Sequence, residues 1–88
     1  MVFYKITWRR SIKDDFKRIH QQSIAEIVEK IDALAENPRP IGCKKLKDSH
    51  HAYRIRIGDY RVVYHIDENA KEILLDYIRH RKDAYRKH

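Results

Sequence analysis

Between residues 53 and 66 the chain reads YRIRIGDYRVVYHI. Apolar and polar side chains alternate on both sides of a Gly-Asp pair, and few folds accept that pattern. Alternation with a period of two is the mark of a half-buried β-strand. Tyr53, Ile55 and Ile57 share one face and Arg54 and Arg56 the other. Past the Gly-Asp pair, Tyr60, Val62, Tyr64 and Ile66 oppose Arg61, Val63 and His65. A two-residue loop with Gly58 first predicts a type II′ hairpin, because only glycine takes the required positive φ without cost. The loop sets the register: Ile57 faces Tyr60, Arg56 faces Arg61, Ile55 faces Val62 and Arg54 faces Val63.

The remaining elements follow from the change of period along the chain. Val2, Tyr4, Ile6 and Trp8 alternate and predict a strand over 2–8, with the Trp8 stripe expected in the core. Ile12, Phe16 and Ile19 recur at helical spacing. Ser23 and Glu26 have the spacing of a capping box. Ile24, Ile27, Val28, Ile31, Leu34 and Ala35 then form one apolar helical stripe. Pro38 ends it, since proline cannot continue the ladder and biases Asn37 away from helix. After the hairpin, DENAK makes a turn and EILLDYI reads as a fourth strand, with Ile73, Leu75 and Tyr77 on one face and Leu74, Asp76 and Ile78 on the other. HRKDAYRKH predicts a short terminal turn or helix. The order is β-α-α-β-β-β-α. The expected fold is α+β: an antiparallel four-stranded sheet, two N-terminal helices packed on one face and a short C-terminal helix. At 88 residues the chain is one domain, 1–88.

The charge narrows the choice of partner. The formal net charge is +7. Residues 1–43 carry eight basic and six acidic side chains, whereas residues 44–88 carry twelve and seven. An excess concentrated in the second half points to an anionic partner. Cys43 is the single cysteine, so no intramolecular disulfide can form, and a reducing, cytoplasmic setting is expected. The first ten residues contain no signal-peptide core, and no apolar run has membrane-spanning length. Six histidines raise the question of a metal. His50 and His51 are adjacent and no HExxH or CxxC occurs, so no metal and no cofactor are expected.

Arg56 and Arg61 are directly opposite in the predicted register, with Arg54 two residues along the same face. Like charges so placed cost a few tenths to about 1 kcal/mol. Selection for stability alone would put Glu or Thr there. Arginine suits phosphate because its planar fork donates two parallel hydrogen bonds. A face turned to solvent and kept soluble by arginine is the plainer reading of the pair. A fourth strand antiparallel to the third would bring Arg79, His80, Arg81 and Tyr85 to the same end of the sheet.

YRIRIGDYRVVYHID followed by YIRHRKDAYR resembles the RelE/ParE toxin superfamily, and within it the RelE-like messenger-RNA interferases. The likeness extends over nearly the whole chain, through the opening strand, the helical pair, KKLKD, the arginine-bearing hairpin and the HRKDAY ending. It implies the toxin of a type II toxin–antitoxin pair that cleaves mRNA in the ribosomal A site and is neutralised, in an oligomeric complex, by an antitoxin that masks the site. By the same likeness, Arg54, Arg56, Arg61, Arg81 and Tyr85 are the catalytic candidates. Lys45 and Lys47, in KKLK, and His80 are candidates for holding RNA. Two departures stand out. The best-known member has lysines where this chain has Arg54 and Arg56, and many relatives have glycine where it has Arg79.

The implied reaction is attack by a ribose 2′-hydroxyl on the adjacent phosphate. Arg56 and Arg61 can stabilise charge on the phosphate, and Arg81 is expected near the leaving oxygen. Arginine does not serve as an ordinary base, so a lysine-base scheme does not transfer. Tyr85 is the first alternative, because neighbouring cations favour a phenolate; packing of the terminal turn is its plainer role. His80 is the second, because imidazole titrates near neutrality; an ordinary surface histidine is its plainer reading. Two further readings remain: a non-enzymatic ParE-like toxin that binds DNA gyrase, and a basic module that binds acidic partners without chemistry.

Overall fold

The computed structural model describes residues 3–84. Eight elements follow in order: β1 (Lys5–Trp8), α1 (Ile12–Lys17), α2 (Gln21–Ala33), β2 (Lys44–Lys45), β3 (Ala52–Ile57), β4 (Tyr60–Asp67), β5 (Glu72–His80) and α3 (Arg81–Ala84). The fold is α+β as expected, but the sheet has five strands in the order β1-β5-β4-β3-β2. The fifth is β2, a two-residue strip beside β3. The sheet is also not wholly antiparallel, because β1 runs parallel to β5, with Ile6 facing Ile73 and Trp8 facing Leu75.

The hairpin has the register its sequence dictates, from Ile57 opposite Tyr60 to Arg54 opposite Val63. Gly58 has φ +59°, as the first position of a type II′ turn requires. On one face of the sheet, Ile55, Ile57, Tyr60, Val62, Tyr64, Ile66, Ile73, Leu75 and Ile78 pack with Ile12, Ile19, Ile27, Ile31 and Leu34 from the helical side. The predicted stripe of α2 is therefore its buried face. Tyr64 is fully buried, and its hydroxyl donates to the Pro38 carbonyl at 2.7 Å. Burial, with Cys43 nearby, pushes the Tyr64 phenol above its ordinary range.

Three local expectations are corrected. Helix α2 begins at Gln21, ahead of Ser23, and its N-cap His20 makes no side-chain capping bond. Instead the His20 N–H donates to the Tyr60 hydroxyl at 3.0 Å, so a tertiary contact anchors the helix start in place of a capping box. Trp8 is 39% exposed and rests against Phe16 at the rim, with ring centroids 5.8 Å apart, rather than in the core. The alternation of β5 breaks at a bulge: Val63 faces Tyr77 and Tyr64 faces Leu75, which leaves Asp76 as the extra residue. The bulge reverses the faces beyond it. Ile78 joins the core, and Tyr77 turns to the face the helices leave open.

Candidate nucleic-acid interface

Register alone maps this open face. Arg56 is the Cα partner of Arg61, and Arg61 of Arg79. Three arginines on three adjacent strands thus form one row, about 10 Å long at the usual strand spacing. The next row is Lys44, Arg54, Val63 and Tyr77. The third is Ala52, His65, Leu74 and Thr7. Val63 is 1% exposed although it lies on the open face. Its row neighbours Arg54 and Tyr77 are long enough to cover it, as amphipathic stems commonly do.

Arg56 is exposed, while Arg54, Arg61 and Arg79 are half-buried. Among the described residues, Arg9, Arg39, Lys71 and Arg79 form ion pairs, and no ion pair is formed by Arg54, Arg56 or Arg81. The hairpin end of the open face therefore carries a concentrated positive field. Arg79, in the same row as Arg56, is held by a carboxylate. Its Nη1 donates to Asp15 Oδ1 at 3.0 Å, and its guanidinium lies 4.8 Å from the Tyr77 ring centroid. Asp15 is 7% exposed, and its other oxygen accepts the Ile78 N–H at 2.9 Å. β1 stops beside Leu75, so Asp15 of α1 satisfies a β5 amide that no strand reaches.

The remaining candidates are distributed as follows. Arg81 opens α3 and is exposed. Its N–H donates to the Asp59 carbonyl at 2.7 Å, which fastens the start of α3 to the hairpin tip, next to the arginine row. His80 is the Cα partner of Tyr60 and so lies on the helix face, away from the guanidiniums. Its ring meets Tyr60 edge-on at 5.2 Å, and its Nδ1 accepts the Lys82 N–H at 3.2 Å. Lys45 pairs with Tyr53 and also falls on the helix face, whereas its neighbour Lys44 pairs with Arg54 on the open face. Lys47 is exposed in the loop that follows. Tyr85 lies outside the described residues.

Sequence reading missed Tyr77, and it grouped Lys44 with Lys45 and Lys47 as backbone-phosphate contacts without telling their faces apart. A trace of Tyr77's position was present: Ile73, Leu75 and Ile78 depart from a period of two at charged Asp76. At the far end of the open face, Asp76 bridges His65 Nε2 at 3.1 Å and Arg9 Nη1 at 2.7 Å. A recess of about 650 Å³ opens there, lined by Thr7, His51, His65, Glu72 and Leu74 among others. The Thr7 hydroxyl is buried with no hydrogen-bond partner among the described residues. Also among the described residues, no three His, Cys, Asp or Glu groups are placed to hold a metal ion.

An open face with a three-arginine row, backed by two helices, is the geometry to set beside known proteins. Residues 6–85 match the family model described as the ParE toxin of the type II toxin–antitoxin system parDE. The toxin RelE of Mycobacterium tuberculosis is 30% identical over 84 residues, spanning 94% of this chain and 87% of that protein. The toxin RelE3 of Methanocaldococcus jannaschii is 29% identical over 85 residues, spanning 92% and 94%. The RelE–RelB complex of Pyrococcus horikoshii superposes with a TM-score of 0.80 at 24% identity, over 90% of this chain and 96% of the matched one. A match over nearly the whole chain leaves one assignment: this protein belongs to the RelE/ParE family of toxins from type II toxin–antitoxin systems.

Proposed function

We propose that this toxin is an endoribonuclease that cleaves mRNA in the ribosomal A site by attack of a 2′-hydroxyl on the adjacent phosphate. The observation that carries the proposal is the in-register row Arg56–Arg61–Arg79 on the open face. Opposed like charges lower stability, and a polyanion lying across the row would turn that cost into binding energy.

In the proposed reaction the 2′-oxygen loses its proton and bonds to phosphorus. The bond from phosphorus to the 5′-oxygen breaks, and that oxygen takes up a proton. The products are a 2′,3′-cyclic phosphate and a 5′-hydroxyl. Arg56 and Arg61 stabilise the added charge on the non-bridging oxygens, and Arg54 extends the cradle. Arg81, held at the hairpin tip through its own backbone, serves the leaving oxygen. Lys44 joins this set from the row of Arg54, while Lys45 and Lys47 are left to contact RNA backbone at the edge.

Tyr85 is the proposed base or base-orienting group. The contacts of His80 argue against it in that role. Its Nδ1 already accepts an amide proton, so the neutral ring carries its proton on Nε2, which then donates rather than accepts. Without a strong base the reaction depends on orientation, and the ribosome supplies it. The partner proposed for the arginine face in the resting state is an acidic segment of a cognate antitoxin. The RelE–RelB complex among its structural neighbours supports a partner of that kind.

The deciding experiment is to incubate the purified toxin with programmed ribosomes and map the mRNA ends. The expected result is a new 3′ end in the A-site codon and little cleavage of naked RNA. Tyr85→Phe is expected to lower cleavage far more than ribosome binding; equal cleavage removes Tyr85 from the chemistry. A second reading, a non-enzymatic toxin that binds DNA gyrase, draws on the ParE description of the matched family model. Inhibition of supercoiling without any mRNA cleavage would establish it instead.

A further inference from the structure

We propose that Tyr77 and Arg79 form a nucleobase-stacking subsite beside the phosphate cradle. The inference rests on the nuclease reading and names a part of the substrate that the cradle does not address.

The bulge at Asp76 is its structural origin. It turns Tyr77 to the open face, in the row of Arg54 and one row from Arg56 and Arg61. Arg79, two residues on, stacks its guanidinium on the Tyr77 ring at 4.8 Å. Asp15 then fixes that guanidinium from the side at 3.0 Å, while the Arg79 side chain remains 41% exposed. The charge of Arg79 is thus largely met within the protein, unlike that of Arg56. What Arg79 presents outward is a held, planar and weakly hydrated surface on an aromatic ring. Unpaired RNA bases stack on tyrosine rings and on arginine planes. A nucleotide whose phosphate lies on Arg56 and Arg61 has its base about one strand spacing from the Tyr77–Arg79 pair. The division of labour is therefore charge at Arg56 and Arg61, and planarity at Tyr77 and Arg79.

The test uses the full chain and ribosomes programmed with mRNAs that carry one abasic nucleotide at each position across the A-site codon and its flanks. The readout is the toxin concentration giving half-maximal cleavage. With the wild type, one abasic position is expected to raise that concentration about tenfold, within the usual worth of one stacked base. Tyr77→Leu keeps apolar cover over Val63 but has no aromatic face. On intact mRNA it is expected to show the same rise, and to be indifferent to the abasic nucleotide at that position. Tyr77→Phe is expected to behave as wild type. Arg79→Lys, which keeps the charge and loses the plane, is expected to fall between. An abasic profile for Tyr77→Leu that matches the wild type overturns the subsite while leaving the nuclease intact. Absence of cleavage by the wild type overturns the nuclease reading, and the subsite falls with it.

Discussion

The two ends of the sheet use the same residue types in opposite ways. At the β4–β5 turn, Arg39 is held by the Tyr53 hydroxyl at 3.2 Å and by Glu68 at 3.0 Å. Glu68 also accepts from the Tyr4 hydroxyl at 3.1 Å and pairs with Lys71 at 3.8 Å. At the hairpin end, Arg56 faces Arg61 across the strands and has no ion pair among the described residues. A cation at the first end helps to hold the fold. Arg56 at the second opposes it, and under the proposed function a polyanion from outside answers its charge. Arg79 belongs to both regimes, since it sits in the cradle row yet has its own carboxylate.

The most forceful way to break this contrast is Arg56→Ala. Under the proposed reaction, cleavage on programmed ribosomes is expected to fall about 100- to 1,000-fold, the usual loss for one transition-state donor. Stability is expected to hold or to rise by a few tenths to about 1 kcal/mol, because an opposed like charge is gone. Thermal unfolding beside the cleavage assay reads both. A large loss of stability would mean that Arg56 supports the fold as Arg39 does, and the contrast would fail.

Asp15→Ala probes the hold on Arg79. It removes the partner of Arg79 and leaves the Ile78 N–H without an acceptor in a buried place. The expected cost is about 2–4 kcal/mol, from an orphaned amide and a cation that loses its counter-charge. For a domain of this size that lowers the unfolding midpoint by roughly 10–25 °C. Asp15→Asn should recover part of the loss, because an amide oxygen can still accept from Ile78. A change of only a degree or two in Asp15→Ala would show that the pair is solvated and that Arg79 is not held.

How much of this was legible in the sequence depends on how local each feature is. The hairpin register was legible because two periods and one turn fix it within fourteen residues, 53–66. The helical stripe of α2 was legible for the same reason. The parallel seat of β1 beside β5 was not, because a pairing more than sixty residues apart leaves no local pattern. The face of Tyr77 was misread because a single bulged residue reverses every side chain beyond it. Lys44 and Lys45 could not be told apart either. Their faces depend on a bond from the Leu46 N–H to the Ala52 carbonyl at 2.9 Å, which sets the short β2 strip against β3. The arginine row was half legible: the Arg56–Arg61 pair came from the turn, and Arg79 joined it only through the β4–β5 register.

The smallest effect sharpens the comparison from the other end. The Arg39 guanidinium and then the Tyr4 hydroxyl, both bonded to Glu68, hold its carboxyl below the ordinary carboxylate range. A depressed folded-state pKa means that the folded protein binds this proton less tightly than the unfolded chain does. The stabilisation is then complete above the unfolded-chain value of 4.5 and is lost as pH falls through the lower folded value. Glu68→Gln should therefore unfold slightly earlier than wild type at pH 7, and the two melting curves should converge in acid. High salt should narrow the gap at pH 7 as well, since the pair is exposed and screened. Cleavage should be unchanged throughout, because this cluster lies at the far end from the cradle. A gap that persists at low pH would assign Glu68 a packing role rather than a charged one, and the contrast between paired and unpaired cations would then rest on the hairpin end alone.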